Sequence, residues 1–405
     1  MSIFEGFLSS PETLAAFSDA NFVDAMLRFE AALARAQAAE GLIPESAAQS
    51  IIGSCKVELF DVARIVRESG RAGSVAIPLI KSLKEAVGVF NADAVPFVHF
   101  GSTSQDVIDT AMALVTREAM EVIEADLAKA AQALLRHAQQ HAATPILART
   151  LMQPASVTSF GLKCAGWAAP LVRGRERLAV AARRALQVQV GGAVGTLAQM
   201  KGQGPAVRKH MAGQLGLGDP GATWHTQRDE WIALGCELGL LVGSLGKIAK
   251  DIVLMGQYEV GEVAEPTEPG RGASSAMPHK RNPVASMVAL AAAQRAPQRV
   301  AALLAAMPQE HERAMGAWQA ELAEWPQLLM SAHGSVRALA GALPGLQIDA
   351  ARMRANIDRL RAEIPRDSAD EWFSPALADQ AAPIALAQVR SLQAQLDNNT
   401  QETAR

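Results

Sequence analysis

The chain has 405 residues, 49% of them hydrophobic and only 4% aromatic, with a formal net charge of −3. That length accommodates a large core over two or three domains, and the abundance of alanine and leucine favours close-packed helices. There is no basic surplus of the kind nucleic-acid partners require, and Glu237, Lys247 and Lys250 interrupt the most apolar stretch, so neither a nucleic-acid nor a membrane partner is expected.

In chain order, residues 1–19 read as irregular and lack the basic and apolar regions of a secretory signal. Residues 21–40 carry Val23, Met26, Leu27, Ala31, Leu33, Ala34 and Ala38 at helical spacing, closed by Gly41 and Pro44. Shorter helices follow over 45–69 and 78–87. His99-Phe-Gly-Ser-Thr-Ser-Gln-Asp then opens a long amphipathic helix, with Thr103 or Ser104 as a cap and Asp106 in the first turn. Arg149-Thr-Leu-Met-Gln-Pro-Ala precedes a second long helix over about 156–189. The glycine-rich run 189–197 lacks the context of a phosphate loop and suggests close backbone approach. Trp224-His-Thr-Gln-Arg-Asp-Glu opens a third long helix reaching Met255. A fourth runs from Pro283 to Ala306, and a fifth from Glu310 to Leu343.

Between the third and fourth lies Gly270-Arg-Gly-Ala-Ser-Ser-Ala-Met-Pro-His-Lys-Arg-Asn-Pro283. Its glycines permit a hinge, and it delivers two hydroxyls, basic side chains and a helix start, with Asn282 as expected N-cap, to one place. All of these suit an anion. Cys55, Cys164 and Cys236 are far apart and read as small apolar residues of a reducing, cytoplasmic compartment. His137 and His141, one helical turn apart, read as a solvated helix end rather than metal ligands, and no metal or cofactor is expected.

Ser274, Ser275, Met277, Pro278, Lys280, Asn282 and Pro283 resemble, in order, the signature of the fumarase/aspartase superfamily, with Ala273 where that family usually has glycine. The resemblance implies an all-α fold. A central bundle of five long helices over 101–343, including a serine loop at 262–283, would follow a small N-terminal helical domain (1–100) and precede a reduced C-terminal helical region (344–405). It also implies a homotetramer whose sites are shared between subunits, and a small polycarboxylate substrate.

By the same resemblance Ser274 moves the proton and Lys280 acts beside it. Thr103, Ser104, Gln105, His99, Gln153, Arg228, Asn282 and Arg313 become substrate contacts. Where many family members carry a histidine that serves the leaving group, this chain has Leu151. An amine or hydroxide leaving group needs an acid, whereas a carboxylate, with a conjugate acid near pKa 4, does not. The stretches 101–110, 224–229 and 310–321 resemble the cycloisomerase branch of the superfamily, and the leaving-group argument agrees with that resemblance, which implies lactonisation of a muconate bearing a third anionic group, carboxylate or sulfonate, in the breakdown of aromatic compounds. The alternatives are an argininosuccinate- or adenylosuccinate-type lyase, or a non-catalytic structural member.

Overall fold

The computed structural model describes residues 3–403 apart from 269, 275 and 278, so Ser275 and Pro278 of the motif lie outside the described residues. The fold is all-α. Helices α1 (Ile3–Leu8), α2 (Pro11–Ala16), α3 (Asp19–Ala39), α4 (Glu45–Ser54), α5 (Val62–Ala72) and α6 (Ala76–Phe90) come first. The opening residues are thus helical rather than irregular. Ser10 caps α2 by accepting from the backbone N–H of Thr13 at 3.2 Å, and Pro11 suits the first helical position.

The five long helices of the central region are α7 (Ser104–Gln140), α8 (Phe160–Ala185), α10 (Asp229–Met255), α11 (Val284–Ala305) and α12 (Ala317–Ala342), with α9 (Gly204–Leu215) packed on α3. They pack on one another as a bundle around an aliphatic core. A Cβ on Gly239 would stand 2.7 Å from Val300, so this glycine lets α11 lie close to α10. By length and composition α10 could cross a membrane, yet here it is a bundle helix packed against α8, α11 and α12. The Trp231 and Trp325 rings stack across α10 and α12 at 4.1 Å between centroids.

Two of the boundaries that differ from the sequence expectation have clear physical reasons. Residues 145–159 form an antiparallel hairpin, β1 (Pro145–Thr150) and β2 (Gln153–Ser159), and α8 starts only at Phe160, where Ser159 Oγ accepts from the Leu162 N–H at 3.0 Å. Residues 310–316 are a loop, ended by Gly316 at φ +95°, before α12 begins. A second pairing joins β3 (Val263–Ala264) to β4 (Gln347–Ile348). Then α13 (Ala350–Glu363), α14 (Arg366–Trp372) and α15 (Leu377–Thr403) follow, and α15 packs along α7, α8 and the hairpin.

The histidine pair is not a solvated helix end. His137 is buried, with Nε2 2.8 Å from the Leu343 carbonyl, and His141 packs edge-on to Phe160.

Bonds between α7 and α12 advance in step: Asp109 with Trp318, Thr116 with Trp325, Asp126 with His333, His137 with Leu343 just past α12. The two helices therefore run parallel, and the start of one marks the start of the other.

Candidate active site

At the start of α7, the Asp106 carboxylate is completely buried and gathers three segments. Its Oδ1 accepts from the Gly191 N–H at 3.0 Å and lies 2.7 Å from His225 Nε2. Its Oδ2 accepts from the N–H groups of Gly192 at 2.9 Å and Thr103 at 3.2 Å. The glycines are required by this closeness. A Cβ on Gly192, at φ +65°, would stand 2.8 Å from the Gly101 carbonyl, and one on Gly191 2.6 Å from Thr223 Oγ1. Close backbone approach is thus the role of the glycine-rich run. Thr103 and Ser104 remain half-buried at the helix start, where hydroxyls can meet a carboxylate.

Two expected substrate contacts turn inward. Gln105 is buried and donates to Asp109 Oδ2 at 3.1 Å and to the His225 carbonyl at 2.9 Å. Arg228 is buried between Asp109, 2.9 Å from Nη1, and Glu321, 3.1 Å from Nε, with its guanidinium over the Trp224 ring. Burial works against the Arg228 charge, but the two carboxylates outweigh it and hold its pKa above the ordinary arginine range. Burial in turn raises the Glu321 carboxyl, which Arg228 offsets only in part. Both side chains are tied into the protein, and each of the three Arg228 nitrogens donates to a protein carboxylate.

Arg313 stays half-exposed. Its Nη2 donates to the carbonyls of Gly192 at 2.7 Å and Ala193 at 3.0 Å, while Nε has no partner among the described residues. Burial lowers its pKa, opposed by Asp106 and Asp109. His99 sits just ahead, at φ +62°, with Nδ1 2.6 Å from Glu30 Oε1. His99, Thr103, Ser104, Gln105, Arg228 and Arg313 thus lie around one hub, of which the first three and Arg313 keep surface a ligand can reach.

The serine loop has a closed neck. The Asn282 N–H donates to the Gly272 carbonyl at 2.8 Å, and Ala273 pairs with Arg281. Ser274 Oγ accepts from the N–H groups of Met277 at 3.1 Å and Ala276 at 3.4 Å, an arrangement that favours an oxyanion at this atom. Lys280 is exposed and Asn282 half-buried. Asn282 does not cap α11. The Glu265 carboxylate does, accepting from the N–H groups of Ala285 at 2.9 Å and Ser286 at 2.7 Å. The helix start expected to receive an external anion already holds an internal one.

Leu151 and Met152 form the tip of the hairpin, both at positive φ, and Leu151 is 97% exposed. Gln153 is exposed beside them.

The expected residues fall at two ends of the bundle. Trp318 marks the Asp106 end of α12, whereas Arg271, in the serine loop, reaches the Ala338 carbonyl at 3.5 Å. Twenty residues of helix (338 − 318) separate these points, about 30 Å at 1.5 Å per residue. The hairpin lies toward the serine-loop end, where Arg149 pairs with Glu262 at 2.7 Å. Sequence reading missed Asp106, His225, Glu30 and Glu265 as organisers. The one available signal was a carboxylate, Glu30, on the apolar stripe of α3.

A protein-family profile described as "Lyase" matches residues 8–297. The 3-carboxy-cis,cis-muconate cycloisomerase of Pseudomonas aeruginosa is 44% identical over 355 residues, covering 88% of this chain and 77% of the relative. A nitrosuccinate lyase of Streptomyces davaonensis is 42% identical over 376 residues, covering 91% and 79%. The crystal structure of 3-carboxy-cis,cis-muconate lactonizing enzyme from Pseudomonas putida superimposes with a TM-score of 0.88 at 36% identity, covering 97% of this chain and 99% of that one. With a family match over most of its length and relatives above 40% identity, the chain belongs to the lyase family, within the fumarase/aspartase superfamily to which its serine loop pointed.

Proposed function

We propose that the protein is a cycloisomerase that lactonises 3-carboxy-cis,cis-muconate, with each site completed by more than one copy of the chain. The observation that carries the reading is Leu151 at the position of the leaving-group histidine, in a chain 44% identical to a cycloisomerase of that substrate. In the lactonising direction a substrate carboxylate oxygen adds to a carbon–carbon double bond. The π electrons move into the neighbouring carboxylate as an aci-carboxylate, and the carbon between then takes a proton. Ser274 supplies that proton. The amides of Ala276 and Met277 stabilise the alkoxide left behind, which solvent reprotonates. One C–O bond and one C–H bond replace a carbon–carbon π bond, no group leaves, and one proton is taken up. Lys280, Asn282, Thr103, Ser104 and Arg313 hold the carboxylates and the developing negative charge, and Gln153 and His99 complete the contacts. In reverse the leaving group is a carboxylate, which needs no acid.

The separation of Thr103 from Ser274 along the bundle supports assembly. One substrate cannot span about 30 Å, so a site that uses both ends takes them from different chains. A homotetramer meets that need.

A second reading is favoured by the 42% identity to a nitrosuccinate lyase. Nitrite, like carboxylate, is a stable anion and leaves without a protonating histidine. Turnover of 3-carboxy-cis,cis-muconate, its 3-sulfo analogue and nitrosuccinate, measured side by side, tests the assignment. The cycloisomerase reading expects the highest kcat/KM on the carboxymuconate, and a clear preference for nitrosuccinate would replace it.

A further inference from the structure

Glu30 lies in the interior of α3 among Met26, Leu27, Leu33 and Ala34, and its side chain is 1% exposed. A carboxylate in such a place needs a compensating charge, because isolated burial costs several kcal/mol. The partner is His99, whose Nδ1 stands 2.6 Å from Oε1, while Oε2 has no partner among the described residues. The same helix holds the histidine's backbone in place, since Gln37, two turns on, donates to the Phe100 carbonyl at 2.6 Å. This clamp accompanies a backbone at φ +62° for His99, a conformation uncommon outside glycine. The ring's other nitrogen, Nε2, makes no hydrogen bond among the described residues and is not sealed from solvent.

We propose that Glu30 is a positioning residue of the substrate site: by pairing with Nδ1 it keeps His99 as an imidazolium whose free Nε2–H binds the third anionic group of the substrate. This rests on the cycloisomerase reading, in which the substrate carries three anions. The charged surroundings of His99 are few. Asp106 of α7 adds attraction, Lys84 of α6 opposes it, and Glu30 itself faces the Cys55 thiol at the end of α4. Burial pushes the imidazole pKa down, but Glu30, its hydrogen bond and Asp106 push it up further, so the net shift is upward. His99 follows Phe97 and Val98 and precedes the Gly101–Ser104 turn, so a ring fixed here lies next to the hydroxyls that open α7.

The test compares the full-length protein with Glu30→Gln, which keeps the shape and removes the charge. Nuclear magnetic resonance of histidine-labelled protein follows the His99 ring through a pH titration, without and with propane-1,2,3-tricarboxylate, an unreactive three-anion probe. The proposal expects His99 to titrate above the ordinary value of about 6.5 in the wild type. It expects that midpoint to fall by about one pH unit or more in Glu30→Gln, as loss of an adjacent opposite charge demands. It also expects the probe to shift the Nε2 signal. In kinetics, KM for the carboxymuconate should rise with pH through the His99 midpoint, with the break moved down in Glu30→Gln and kcat changed much less. A His99 midpoint that is the same in both proteins, or a ring signal indifferent to the probe, overturns the proposal. Should the variant fail to fold, a wild-type midpoint at or below the ordinary value, or no response to the probe, overturns it equally. The ring readout needs no turnover, so a protein inactive on carboxymuconate would count against the cycloisomerase reading and not against the pairing.

Discussion

Arg228 Nη1 lies 2.9 Å from Asp109 Oδ2 with both side chains about 1% exposed, and the guanidinium's other edge meets Glu321. This buried charge group joins α7, the approach to α10 and α12. Removing this cation leaves two buried carboxylates without their ion-pair partner. Arg228→Leu should lower unfolding stability by about 3–5 kcal/mol, the cost typical of breaking a buried pair on one side. Denaturant unfolding checks this. A loss below about 1 kcal/mol would restore Arg228 as a spare cation available to substrate.

His333 gives stability a defined pH dependence. Its ring is buried between Asp126, 3.0 Å from Nε2, and Ser10 and Thr13 on the Nδ1 side, so it pins α2 to α12. Burial lowers its folded pKa, more than Asp126 raises it. The unfolded chain therefore binds the proton more readily, and the stability contributed by the neutral ring is lost as pH falls below about 6.5. His99 acts with the opposite sign: its folded pKa is raised, so its contribution is full below about 6.5 and is lost as pH rises through the folded value. Melting temperature measured from pH 5 to 6.5, where the His99 contribution is full, should drop toward the acid side in the wild type, and the slope should flatten in His333→Gln. Parallel curves for the two proteins would contradict this.

The proposed assembly rests on Thr103 and the serine loop lying toward opposite ends of the bundle. Thr103→Val and Ser274→Ala should each be nearly inactive alone. Co-expressed, they should recover part of the activity, because mixed assemblies contain sites with one intact copy of each end. The protein should sediment as a homotetramer. No recovery in verified mixed assemblies, or a fully active monomer, would show that one chain builds its site unaided.

Leu151 tests the leaving-group argument. Leu151→His should give no gain in lactonisation, because a carboxylate needs no protonation to leave and the forward reaction expels nothing. The residue is a solvent-exposed hairpin tip in the single chain, so the substitution should also leave monomer stability within about 0.5 kcal/mol. Steady-state kinetics on the carboxymuconate checks the first part. A clear acceleration would mean that an acid was missing.

The five-helix bundle was legible because long periodic apolar stripes carry the helix signal strongly, as in Val107, Ile108, Ala111 and Leu114 of α7. The hairpin was not, since Pro145 and Pro154 bracket a short run without clear alternation. The serine loop was legible as an ordered string, but its Glu265 cap was not, because capping was sought in the adjacent Asn282 and came from 20 residues upstream. Arg228 looked like an anion contact for a similar reason. Its carboxylates lie 119 and 93 residues away in sequence, and only the fold brings them together. Local chemistry could be read from the sequence; which charges were already satisfied could not.

The most direct test is the rate of 3-carboxy-cis,cis-muconate lactonisation by the wild-type protein and by Ser274→Ala, assayed together. Wild-type turnover is expected. In the variant, kcat should fall by a factor on the order of 10² to 10⁴, as for a lost acid–base group, with a smaller change in KM. Near-normal kcat in Ser274→Ala, or a wild-type protein that leaves the substrate untouched, would contradict the account.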